Sequence, residues 1–143
     1  MNDRIIGRGF SFGELRTGFR FRTHRRTIRE ADLVAFMNLT GLTEELFSVK
    51  RDKQLVPGAL VYSLAEGLLL PSMQDTGVAF LGATLDVKAP TFVDDTIHVE
   101  CEVIEARLTS KGDRGLVRFL NKVVTDDGKV VLEYNPLRLL KKE

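Results

Sequence analysis

Few side chains in this sequence are equipped for chemistry, and their positions narrow what they can do. The two histidines, His24 and His98, each fall at an outward position of an alternating run, so both read as surface residues rather than bases. The single cysteine, Cys101, keeps step with Val99 and Val103 on the inward side of its run, which predicts a buried thiol rather than a nucleophile. One cysteine also excludes an internal disulfide framework. Carboxylates are plentiful, but without a cluster of histidines or cysteines nothing argues for a catalytic metal site. Ser110-Lys111-Gly112-Asp113-Arg114-Gly115 reads as a connection between strands, not as a phosphate cradle. Arg16, Arg20, Arg22, Arg25, Arg26 and Arg29 mostly alternate with apolar partners, as on the wet face of a strand. A formal net charge of +1 supplies no field for nucleic acid or an anionic membrane.

The elements that must position these residues follow from periodicity. Phe19, Phe21 and Thr23 alternate with Arg20, Arg22 and His24, which predicts a first strand over Phe19 to Thr23. Thr27 and Glu30 have the spacing of a capping box, so a helix is expected there, with Leu33, Phe36, Met37 and Thr40 on one face and Gly41 ending it. A second helix is expected from Pro57 to about Leu70, stopped by Pro71. Its apolar arc of Leu60, Val61, Leu64, Ala65 and Leu68 is wide enough to be wrapped by a sheet; Tyr62, Ser63 and Glu66 lie on the other side, so Leu64 and Leu68 should face the sheet and Glu66 should not. From Val78 onward the period becomes that of strands: a run to Val87, one around Ile97 to Val103, then Leu116 to Thr125 and Val130 to Tyr134 joined through Asp126-Asp127-Gly128. Pro136 marks a bulge or an edge. The fold class is α+β, one long helix against a curled antiparallel sheet, in a single domain over residues 1–143. No apolar run reaches membrane-spanning length, and Met1 to Gly7 carry no secretory signature, so a cytoplasmic location is expected.

Several of these segments, in this order, resemble the MaoC-like (R)-specific enoyl-CoA hydratases. Arg26 to Phe36 with Leu39-Thr40-Gly41 resembles their first helix, and Gly58-Ala59-Leu60 with Ser63-Leu64-Ala65 and Gly67-Leu68-Leu69 resembles their central helix. Phe80-Leu81-Gly82, Lys88-Ala89-Pro90, Asp95 to Glu100, Ser110-Lys111-Gly112 and Gly115-Leu116-Val117 resemble the strands and turns that follow. The resemblance, which covers roughly Phe10 to Leu140, implies a hotdog fold. It also implies a trans-2-enoyl thioester substrate, hydrated by a water that an aspartate and a histidine hold and deprotonate.

Those two positions are here Leu42 and Phe47, neither of which accepts a proton. Both would fill the water's place with apolar atoms. Pro57 stands where a histidine usually precedes the helix glycine, and the segment from Phe47 to Pro57 is shorter than the family's. What the resemblance still implies is a helix start at Gly58 whose free N–H groups can polarise a thioester carbonyl, unless Gly58 is only a tight contact with the sheet. Pro57, Gly58, Ala59 and Thr40 would then border an acyl thioester, with Lys88, Lys111 and Arg114 toward the phosphates of coenzyme A. No cofactor is expected beyond the coenzyme A or acyl carrier protein part of the ligand.

Three readings compete: an acyl-thioester-binding homologue without hydratase activity, alone or as the non-catalytic partner of a catalytic subunit; a thioesterase using Glu66, which falls near the acidic residue of certain hotdog thioesterases; and a structural dimer with a filled pocket. A homodimer or higher oligomer is expected under each, because a lone hotdog sheet leaves strand edges unpaired.

Overall fold

The computed structural model describes Asp3 and residues 5–143. The reading of the first residues falls in part on Met1, Asn2 and Arg4, which lie outside that set. In chain order the elements are β1 (Arg20–Arg22), β2 (Arg26–Thr27), α1 (Glu30–Thr40), α2 (Glu45–Ser48), β3 (Leu55–Val56), α3 (Gly58–Leu68), α4 (Leu70–Met73), β4 (Gly77–Gly82), β5 (Leu85–Val87), β6 (Thr91–Phe92), β7 (Thr96–Leu108), β8 (Arg114–Thr125), β9 (Val130–Tyr134) and β10 (Leu137–Lys141). The expected α+β arrangement is present.

The sheet is built on the β7–β8 hairpin, in which Ile97 pairs with Thr125 and Leu108 with Gly115. Beyond β7 lie β1 and β2; beyond β8 lie β9 and β10, and outside them β5 and β4. The chain breaks twice at one level, around Pro136 on one strand and at Ala83–Thr84 on its neighbour. Asn135 pins the two breaks together, its Oδ1 accepting from Thr84 N at 2.8 Å and from Thr84 Oγ1 at 2.6 Å. Proline has no N–H to give the ladder, so the interruption falls where the sequence puts it. The Asp126-Asp127-Gly128 turn forms as expected, with Gly128 at φ 85°.

Alternation along β7 puts Ile97, Val99, Cys101 and Val103 inward, and the first three pack with Leu60, Val61, Ala65 and Leu69 of the α3 region. Burying a Leu or Val side chain contributes about 1.5–3 kcal/mol, so this shared face is what seats α3 on the sheet. A second cluster, Leu15, Val103, Val117, Phe119 and Leu140, closes the far end under Phe10, Phe12 and Phe19.

Three local expectations are corrected. The start of α1 lies two residues later than the Thr27 box: Arg29 is the cap, and its N–H donates to Asp32 Oδ2 at 2.9 Å. Thr27 belongs to β2, and its hydroxyl bonds Thr96 Oγ1 at 2.7 Å. Pro71 does not end helical structure but sits in the first turn of α4, where its missing N–H costs nothing. The face of α3 on the sheet is Val61, Ala65 and Leu69, while Leu64 and Leu68 are only partly buried. That rotation brings Glu66 against β9 and β10.

Candidate functional site

The start of α3 is set by Pro57, whose carbonyl accepts from Leu60 N at 3.0 Å and Val61 N at 3.2 Å. The amides of Gly58 and Ala59 precede the first intrahelical bond and carry the positive end of the helix. A Cβ at position 58 would lie 3.1 Å from Val87 Cγ2, a tight contact that glycine avoids. A tight contact with the sheet and the free amides of a helix start thus coincide at Gly58.

A cleft of about 360 Å³ opens beside this helix start. Phe47, Val61, Val87, Val131 and Leu132 give it apolar walls, and Lys88 and Thr91 border it. Phe47 is placed there by α2 and held by Gln54, whose Nε2 donates to the Phe47 carbonyl at 2.8 Å. Gln54 in turn precedes β3, which pairs with β6 and so fixes the short segment from Phe47 to Pro57. Leu42 is half-buried but forms no part of the cleft wall. Of Leu42 and Phe47, only Phe47 lines the cleft.

The other anticipated residues divide. Pro57 and Lys88 line the cleft; Ala59 is exposed, and Lys88 Nζ lies 3.8 Å from Glu133 Oε2, leaving its ammonium half-exposed. Thr40 is spent locally, donating to Phe36 O at 2.7 Å and accepting from Leu42 N at 3.2 Å, beside Gly41 at φ 76°. Lys111 and Arg114 sit at the β7–β8 turn. Arg114 and Val123, which pairs with the cleft residue Leu132, are about 30 Å apart along β8 at the usual rise of a strand. Within one chain these two cations do not meet Lys88.

Glu66 is not the solvated carboxylate that the helical wheel gives. Arg138 clamps it with two hydrogen bonds, Nη1 to Oε1 at 2.9 Å and Nη2 to Oε2 at 2.6 Å, and the Tyr134 hydroxyl donates to Oε2 at 2.8 Å. The Arg138 side chain is 7% exposed and that of Glu66 25%. Burial pushes the Tyr134 phenol far above its ordinary range, and the Glu66 charge adds to that, so it stays a donor. Tyr62 stacks edge-on against Tyr134 at 4.9 Å. Such a carboxylate is a structural anchor rather than a poised base or nucleophile. Sequence reading missed its two partners. The available signal was an arginine in step with Leu140 on the inward side of β10.

Cys101 is buried, and desolvation lifts its thiol to about 12, as expected for an inert core cysteine. His24 is exposed. His98 is not the plain surface residue expected: its side chain is 13% exposed, Nε2 meets Glu100 Oε2 at 2.8 Å, and Nδ1 is buried without a partner. Among the described residues no group of three or more His, Cys, Asp or Glu is placed to hold a metal ion. None of the described helices is long and apolar enough to cross a membrane.

No family model matches the chain. An (R)-specific enoyl-CoA hydratase of Aeromonas caviae is 30% identical over 81 residues, which make up 57% of this chain and 58% of the length of that curated relative. Among solved structures, the MaoC-like dehydratase of Rhodospirillum rubrum superposes with a TM-score of 0.82 at 21% identity, covering 94% of this chain and 99% of that one. A Mycobacterium tuberculosis protein with a double hotdog fold superposes with a TM-score of 0.85 at 19% identity, covering 98% of this chain and 46% of that one. The fold is the hotdog.

Proposed function

We propose that this chain, with the hotdog fold of the MaoC-like dehydratases and sequence likeness to an (R)-specific enoyl-CoA hydratase, binds acyl thioesters of coenzyme A or acyl carrier protein beside Gly58 and does not hydrate them. One observation carries the reading: among the described residues, the cleft wall holds a single ionisable side chain, Lys88, and Phe47 reaches in where the resemblance puts a histidine. A water there would find no group to take its proton. The Gly58 and Ala59 amides remain as donors for a carbonyl.

Against the thioesterase reading stands the saturation of Glu66 by Arg138 and Tyr134. Against a purely structural dimer stands the open cleft. We assign the protein to the cytoplasm, and we assign it a homodimer. The outer strands β4 and β5 leave Val78, Phe80, Leu81, Leu85 and Val87 39–60% exposed along an unpaired edge. The opposite edge is blunted by Arg20, Arg22 and Arg26. A second copy is the natural cover for the apolar edge.

The test is thermal denaturation with crotonyl- and octanoyl-coenzyme A. A ligand at a hundred times its Kd adds about 2.7 kcal/mol, a rise in Tm of several degrees for a chain of this size. Absence of any rise at millimolar thioester, or hydration of crotonyl-coenzyme A at the rate of an ordinary hydratase, refutes the proposal.

A further inference from the structure

A second cleft, of about 730 Å³, lies away from Gly58 at the other edge of the sheet. Its cause is a bulge. Arg22 pairs with Glu100 and Arg26 with Ile97, so the edge strand carries one residue more than β7 between these pairs. The extra length lifts the His24–Arg25 segment, while Thr23 stays tied down by N–H donation to Val99 O at 2.9 Å and by Val99 N–H donation to its Oγ1 at 3.0 Å. Bulges of this kind re-aim side chains at sheet edges.

The lining of the cleft combines two kinds of chemistry. Phe10, Phe21, Leu68 and Pro71 give it an apolar, partly aromatic wall, and Arg22 and Arg25 border the same cleft. Arg22 makes no ion pair among the described residues. Arg25 has only a loose one, Nη1 to Asp126 Oδ2 at 3.6 Å, with both side chains well exposed. His24 and His98 also border the cleft; His98 Nε2 is committed to Glu100, and Asp126 is the one acid in the wall. The guanidinium fork matches a carboxylate or phosphate oxygen pair, and the adjoining apolar floor accepts a hydrocarbon body.

From this juxtaposition we propose that the cleft binds a small amphiphilic anion, a carboxylate or phosphate head on an apolar chain, with the head on Arg22 and Arg25 and the chain against Phe10, Phe21, Leu68 and Pro71. The site is independent of the thioester cleft and of any reading of it.

Titration calorimetry of the full chain with decanoate, decyl phosphate and decanol tests this. At least one anion should bind saturably, one per chain, about tenfold or more tighter than decanol. Whichever anion wins identifies the head group. Arg22→Gln and Arg25→Gln should each weaken that anion by about tenfold and leave decanol unchanged, with the free proteins as heat-stable as wild type. Phe47→Ala, at a residue that lines the Gly58 cleft and not this one, should leave anion binding as it was. The proposal is overturned if neither anion saturates below millimolar concentration, if decanol binds as tightly, if both arginine variants bind like wild type, or if Phe47→Ala changes the affinity.

Discussion

Replacing Glu66 by Gln keeps the shape of the side chain and removes only its charge, so it isolates what the carboxylate does for Arg138. The guanidinium is 7% exposed and would then face a neutral amide. Breaking a fully buried pair from one side costs about 3–5 kcal/mol. Glu66 is a quarter exposed and glutamine still accepts one hydrogen bond, which lowers the expected loss to about 2–3 kcal/mol. Arg138→Met should cost less, about 1–2 kcal/mol, because the stranded carboxylate sits nearer water and keeps the Tyr134 hydroxyl at 2.8 Å. Glu66→Gln combined with Arg138→Met removes both charges and keeps an acceptor for the Tyr134 hydroxyl, so it should cost less than the sum of the two single losses. Urea unfolding at a fixed protein concentration measures all three. With a slope of about 1–3 kcal/mol per molar, the Glu66→Gln midpoint should fall by about 1 M. A larger loss for Arg138→Met than for Glu66→Gln, or strict additivity in the double variant, would refute the anchoring role.

Introducing an acid–base pair with Leu42→Asp and Phe47→His should give little hydration of crotonyl-coenzyme A, because position 42 does not reach the cleft; a gain of about 100-fold or more, the worth of one positioned group, would show that it does. Phe80→Asp with Leu81→Lys should turn the proposed dimer into a monomer by light scattering, without loss of secondary structure by circular dichroism. Cys101 should resist iodoacetamide at pH 8 in the native protein and react once urea unfolds it. Its sign in the pH dependence is fixed: the folded thiol holds its proton up to about 12 against an ordinary value of 9.0, so its contribution is complete below pH 9 and declines above it. The decline is about 1.4 kcal/mol per pH unit, visible as a falling urea midpoint between pH 9 and 12.

Strands were the most legible part of this chain, because a half-buried strand writes its burial into every second residue. Ile97 to Val103 and Val130 to Tyr134 form where alternation puts them, and Gly128 turns the hairpin that Asp126-Asp127-Gly128 signals. The run from Val78 to Val87 was harder to read. Its outer strands are exposed on both faces in a single chain, so alternation there says nothing about which side is core. The helix starts were blurred for a different reason. Thr27 and Asp32 both offer a capping oxygen, and the choice falls to Asp32 because β2 draws Thr27 into a bond with Thr96.

By itself the sequence determined the α+β order of elements, the placing of Gly58 at a helix start, the inward position of Cys101, and the apolar character of positions 42 and 47. All of these depend on residue type and on neighbours a few positions away. Only the tertiary structure decided that Phe47 reaches the cleft while Leu42 does not, and that Glu66 is held by Tyr134 and Arg138 rather than by water. A helical wheel fixes the angles between side chains but not the rotation of the helix on its sheet. That rotation is set by which apolar face packs best, here Val61, Ala65 and Leu69, and it carries Glu66 toward an arginine about 70 residues away along the chain.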